Sequence, residues 1–194
     1  MRKWITVSGP AGSGKDTLVN NLITEINIEQ PGAVDKVDYY TTRKELRPGE
    51  DPGAKYFLTE AEFDEKLRRG ELPFWDTNAD YRVGIPMSGL EKNEPVIINM
   101  APKYINQLRE LVAQKGAEMF SIYLSAPQRQ RAQRIRLREG WLFEEPVEDR
   151  LENDIAKEGS ETEQVFDVKI ENKEGGFDEV LKEVLPKVKE FLKK

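Results

Sequence analysis

Residues 9–17, GPAGSGKDT, set three glycines, a lysine, an aspartate and a threonine close together. Glycines at 9, 12 and 14 let backbone N–H groups approach a phosphate, and Lys15 adds a point charge on a flexible stem. The stretch follows a β-branched run, KWITVSG, and precedes KDTLVNNLITEI, where Leu18, Leu22 and Ile26 recur at helical spacing. Strand, glycine loop and helix form the context in which G-x-x-x-x-G-K-[ST] binds nucleotide phosphates. Here Gly9, Pro10, Ala11, Gly12, Ser13, Gly14, Lys15, Asp16 and Thr17 make the expected loop for a nucleotide's phosphates. The last motif position departs from the pattern, because Asp16 stands where a hydroxyl usually holds Mg²⁺. One reading makes Asp16 an acid favoured by the helix dipole, with Thr17 supplying the hydroxyl. The other makes it a hard oxygen ligand for Mg²⁺, direct or through water. The second is preferred, since a bare carboxylate beside a polyphosphate would be repelled.

The rest of the composition narrows the chemistry. The chain of 194 residues contains no histidine and no cysteine. Disulfides, thiolate metal sites and cysteine nucleophiles are excluded, and catalysis must rely on carboxylates, lysines, arginines, hydroxyls or the backbone. Phosphoryl transfer suits such a chain, because it needs positioning and positive charge more than proton chemistry. The formal net charge of −6 argues against a nucleic-acid surface, so any anion site must be local. The apolar stretch near the start is too short for a signal segment, and no run reaches the roughly 18 apolar residues of a membrane span. The expectation is a cytoplasmic protein.

These residues require a scaffold, and the pattern supplies one. Further strands are expected at VDYYTT, PVIINM, EMFSIYLSA and VFDVKIEN. Helices are expected at TEAEFDEKLRRG, with a Thr59/Glu62 capping box, at KYINQLRELVAQKG closed by Gly116, at the arginine-dense QRQRAQRIRLREG and at EEPVEDRLENDIAKE. The last helix, GFDEVLKEVLPKVKEFLKK, is expected to be kinked or divided by Pro186. Strands alternating with helices predict an α/β fold with a parallel sheet covered on both faces. Arg131, Arg134 and Arg138 share one helical face, the face expected to meet ATP.

VSGPAGSGKDTL, YYTTRKELRPGEDPGAKYF and FDVKIEN together resemble the guanylate kinase family, in order and over nearly the whole chain. The T-T-R…R-P-G-E segment is the most specific part. The resemblance implies a single domain with a three-layer P-loop kinase core at 1–36, 93–130 and 160–194. A small acceptor-binding lobe is implied at about 37–92, and an arginine-rich lid at about 131–159. It implies transfer of the ATP γ-phosphate to a nucleoside monophosphate such as GMP or dGMP, with ATP and Mg²⁺ as cofactors. The implied partner is a small phosphorylated acceptor, and the protein would act as a monomer or homodimer. Lys15, Arg134, Arg138 and Arg150 correspond to catalytic residues, Asn172 lies at the position near the adenine, and Arg43, Arg47 and Tyr56 grip the acceptor's phosphate.

The positions that would read the guanine depart from the family. Tyr39 replaces a serine, Phe74 a glutamate and Ile85 a serine or threonine; Arg82-Val83 stands for Y-Y, and Asn99 for an acid. Phe74, Val83 and Asn99 are therefore the acceptor-binding positions at which this chain differs. Phe74 has no acceptor for the guanine N1–H and amine, so Glu71, Asp76 or Asp80 takes that part, or the acceptor is not GMP. Alternatives are a ribose 1,5-bisphosphate phosphokinase-like activity, which the G-K-D loop resembles, and a non-catalytic phosphopeptide-binding module, against which the intact loop argues.

Overall fold

The computed structural model describes residues 2–44, 55–78, 81–139 and 165–194. In chain order the elements are β1 (Lys3–Ser8), α1 (Lys15–Glu29), β2 (Asp35–Lys36), β3 (Tyr39–Thr41), β4 (Lys55–Phe57), α2 (Glu60–Arg68), β5 (Phe74–Asn78), β6 (Tyr81–Ile85) and α3 (Met87–Leu90). They continue with β7 (Val96–Asn99), a 3₁₀ turn at Pro102–Tyr104, α4 (Ile105–Gln114), β8 (Glu118–Ser125), α5 (Gln128–Glu139), β9 (Val168–Glu171) and α6 (Phe177–Lys193). The chain divides into two compact units, Met1–Asp35 with Glu94–Lys194, and Lys36–Asn93.

The larger unit is built on a five-stranded sheet in the order β2-β7-β1-β8-β9. β1 pairs in parallel with β7 and β8, and β8 in parallel with β9. All six residues of β1 are buried. Period-2 alternation sends Ile5 and Val7 to one face, where they join Leu18, Leu22 and Ile26 of α1 and Val180, Val184 and Val188 of α6 in one apolar cluster. Trp4 and Thr6 point the other way and are buried too, and α4 packs on β8 with Ile105, Leu108 and Val112 inside. A strand covered on both faces reads as a continuous apolar run, and β1 does. Lys3 reaches the far end of α6, where its Nζ donates to the carbonyls of Phe191 and Leu192 at 2.9 Å each. These are carbonyls the helix cannot satisfy itself.

α6 is not divided at Pro186. It runs unbroken from Phe177 to Lys193. The proline removes one helical hydrogen bond, but the buried stripe Val180, Val184 and Val188 holds both sides of it against the sheet.

The smaller unit holds a four-stranded sheet in the order β4-β3-β6-β5, with β3/β4 parallel and the other two pairs antiparallel. Of these four strands, only β3 follows from the strand patterns in the sequence. The β5–β6 pair did leave a signal, two aromatic and β-branched runs two residues apart. α2 begins as the sequence predicts, with the Thr59 hydroxyl accepting from the Glu62 N–H at 3.2 Å and the Glu62 carboxylate accepting from the Thr59 N–H at 2.7 Å. The Thr59 N–H, with the Thr59 hydroxyl that also donates to the same carboxylate oxygen at 2.8 Å, holds the Glu62 carboxyl below its usual range. The expected helix EEPVEDRLENDIAKE lies outside the described residues.

Candidate active site

The glycine loop joins β1 to α1 through backbone that only glycine adopts easily. Gly9, Gly12 and Gly14 have φ of 147°, 76° and 98°. Gly14 caps α1 without a side-chain hydrogen bond, so the first-turn N–H groups face outward with no capping side chain at that residue. Lys15 folds back over the loop, its Nζ donating to the Pro10 carbonyl at 3.2 Å.

Two side chains distant in sequence set the loop's peptide planes. Arg134 of α5 donates through Nη1 to the carbonyls of Gly12 and Ser13, at 3.2 and 3.3 Å. Asn172, just past β9 and only 2% exposed, donates through Nδ2 to the same Ser13 carbonyl at 2.8 Å. A trans peptide points its C=O and N–H in opposite directions. Drawing the carbonyls of 12 and 13 toward Arg134 and Asn172 therefore turns the N–H groups of 13 and 14 the other way, and that of Ser13 donates to the Pro10 carbonyl at 3.3 Å. Close packing makes Gly12 obligatory here, because a Cβ on it would lie 2.8 Å from the Arg131 carbonyl oxygen. Arg131 itself is 2% exposed, which removes it from the outward-facing arginines.

Asp16 and Thr17 are both exposed at the start of α1. The Asp16 Oδ1 accepts a hydrogen bond from Nδ2 of Asn99, at the C-terminal end of β7. Asn99, grouped by the family resemblance with the acceptor-binding positions, thus has its amide on the Asp16 carboxylate. Nothing in the local sequence predicts this pairing across 83 residues.

In the smaller unit, pairing register sorts the side chains into two faces, because residues directly opposite share a face. One face carries the row Tyr56, Tyr40, Gly84, Trp75. It is the α2 side: Trp75 stacks edge-on with Phe63 at 6.5 Å, and the Lys66 ammonium sits 4.6 Å from the Tyr40 ring centroid. The other face carries the row Phe57, Thr41, Val83, Asp76, with Phe74 opposite Ile85 beside it. The Arg43 backbone N–H donates to the Thr41 hydroxyl at 3.2 Å, and the Arg43 guanidinium lies 5.6 Å from the ring centroid of Tyr81, a residue of this second face. Arg43, Val83 and Phe74 are therefore brought together on the second face. Tyr56 is not: it belongs to the α2-side row, is 54% exposed and meets Tyr40 edge-on at 5.4 Å. Phe74 is 4% exposed and sits in the packing of the sheet.

Arg82 does more than stand in for a tyrosine. It pairs with Glu60 and, at 2.6 Å, with Asp64, and lies 4.6 Å from the Phe63 ring centroid. The Asp64 and Glu60 carboxylates raise its pKa, and hydrogen bonds from Thr42 and Arg82 lower that of Glu60. Arg82 straps α2 to the sheet. Arg47, Asp80 and Arg150, and the side chain of Arg138, lie outside the described residues.

No helix among the described residues is long and apolar enough to cross a membrane. The guanylate kinase family model matches residues 1–194. The guanylate kinase of Streptomyces kasugaensis is 34% identical over 171 residues, covering 86% of this chain and 78% of that protein. That of Thermobifida fusca is 29% identical over 176 residues, 88% of this chain and 84% of its own. The crystal structure of guanylate kinase from Anaplasma phagocytophilum superposes with a TM-score of 0.61 at 15% identity, covering 97% of this chain and 83% of that one, a likeness of fold. With the family model spanning its whole length and these relatives aligned over most of it, the chain belongs to the guanylate kinase family.

Proposed function

We propose that this protein transfers the γ-phosphoryl group of ATP to a guanine nucleoside monophosphate, forming ADP and the nucleoside diphosphate. The observation that carries the reading is the glycine loop, whose carbonyls at 12 and 13 are tied down by Arg134 and Asn172 beside Lys15. In the transfer, an oxygen of the acceptor phosphate bonds to the γ-phosphorus as the bond from that phosphorus to the β,γ-bridging oxygen breaks. The reaction needs no general base of unusual pKa, which agrees with a chain that has no histidine. Lys15 neutralises the transferring phosphates, the loop N–H groups hold the oxygens in place, and Arg43 holds the acceptor's phosphate.

The residues at the start of α1 fit Mg²⁺. Asp16 offers an exposed carboxylate that the Asn99 amide orients, and Thr17 a hydroxyl beside it. Mg²⁺ is a hard cation that takes one or two protein oxygens together with substrate phosphates. When bound, Mg²⁺ supplies charge neutralisation at the phosphate oxygens.

A coupled ADP-release assay with GMP, dGMP, AMP and ribose 1,5-bisphosphate tests the proposal, with turnover expected for GMP and dGMP. ADP release no faster than ATP hydrolysis with every acceptor would refute it. Arg43→Ala is expected to raise the acceptor KM about 10- to 100-fold, the loss of a charge-assisted hydrogen bond of roughly 1.5–3 kcal/mol, with the ATP KM unchanged. Steady-state kinetics with each substrate varied in turn make the check; a change confined to ATP would remove Arg43 from the acceptor side.

A further inference from the structure

A guanine presents two parallel donors, N1–H and the exocyclic amine, which a carboxylate can accept together. The face of the smaller sheet that bears Arg43 is poor in such acceptors. Phe74 and Ile85 oppose each other, and the register continued by one residue from Tyr40–Gly84 adds Tyr39 to the same row. That row is apolar and aromatic. The next one, Phe57, Thr41, Val83, Asp76, holds the sole carboxylate among the described residues of the four strands.

Resting on the phosphotransfer reading above, we infer that Asp76 is the specificity-determining residue that reads the guanine's donor edge. Four observations converge on it. Asp76 lies two residues from Phe74 on the same strand and face, about 7 Å along β5. It directly opposes Val83 and is the diagonal neighbour of Tyr81, the ring beneath the Arg43 guanidinium, so base reader and phosphate-binding arginine share one face. Its side chain is half-buried and oriented by the Thr77 N–H, which donates to Oδ1 at 2.9 Å. Finally, of the two other candidate carboxylates, that of Asp80 lies outside the described residues, and that of Glu71 is tied to Lys66 at 2.9 Å, on the residue that stacks over Tyr40 of the opposite face. Beside Asp76, Ile85 and Phe74 are buried at 6% and 4% exposure, so Asp76 is the polar group at the edge of an apolar row.

The test compares kcat/KM for GMP, IMP and AMP in the wild type, Asp76→Asn and Asp76→Ser. IMP keeps N1–H and lacks the amine, while AMP offers an acceptor at N1. The wild type should prefer GMP over IMP and IMP over AMP. In Asp76→Asn the amide turns a donor toward a donor, and the GMP-to-IMP ratio should fall about tenfold or more with the ATP KM unchanged. Asp76→Ser removes the pair of acceptors at smaller volume, and the same fall is expected. A purely structural role would slow all three acceptors together and leave the ratio intact, which would overturn the inference. A wild type that turns over none of them would instead overturn the phosphotransfer reading and this inference with it, so the two failures are distinguishable.

Discussion

Lys15→Ala should lower kcat by about 10²–10³-fold, the scale seen when one preorganised charge donor is removed from a developing transition-state charge. The Lys15 Nζ donates to the Pro10 carbonyl at 3.2 Å, within its own loop. A bond of that kind contributes roughly 0.5–1.5 kcal/mol. The fold rests instead on the buried sheet and on α1, whose inward residues Leu18, Val19, Leu22 and Ile26 are untouched by the change. Activity should therefore collapse while the melting temperature moves little. Lys15→Arg should restore only part of the rate, because a planar fork does not reproduce a compact ammonium in a loop this close. Coupled turnover and thermal melting on the same preparations provide the measurement, and a variant as active as the wild type would take Lys15 out of the reaction.

Gly9→Ala is expected to fail for the opposite reason, through structure. The residue sits at φ 147°, and a Cβ there would overlap the carbonyl oxygen of Leu124 and approach the Ser13 hydroxyl to 3.3 Å. Leu124 is fully buried in β8, between β1 and β9, so its backbone cannot withdraw. Adding a forced left-handed backbone to a clash with fixed atoms gives about 2–4 kcal/mol. For a chain of this size that is roughly 5–15 °C in melting temperature. Gly32→Ala is the control. Gly32 also has positive φ, 77°, but nothing lies within 4 Å of its added Cβ, so it isolates the backbone cost. Equal losses in the two variants would show that the approach of the loop to β8 contributes nothing to stability.

A shared cause underlies both results. Phosphate binding depends on how the loop's peptide planes are set, and this loop fixes them by fastening its carbonyls at 12 and 13 to Arg134 and Asn172. The family pattern assigns Arg134 to the moving arginines and Asn172 to the adenine's surroundings. In this structure both also set the loop's conformation, so replacing either should disturb ATP binding even without contact to ATP.

Much of the protein was legible along the chain, and the reasons are local. The three glycines with Lys15, the Leu18/Leu22/Ile26 stripe, the Thr59/Glu62 capping box and the β-branched run of β1 each express their physics within a few residues, where helical and strand periodicities act. The family itself was legible because its most specific segment, T-T-R…R-P-G-E, is contiguous. What needed the tertiary structure depends on register and on packing between remote segments. Asn99 meets Asp16 across 83 residues and Arg134 meets Gly12 across 122, and no periodicity encodes either meeting. Tyr56 and Arg43 look like equal partners in the sequence, yet one residue of strand parity puts them on different faces, since side chains alternate with a period of two. The same parity separates Trp75 from Asp76, turning one toward α2 and the other toward the face of Arg43. The sequence by itself determined that phosphates are bound and by which loop. Which side chains share a face with that chemistry was decided by strand pairing, because hydrogen-bonded register is a property of two segments at once.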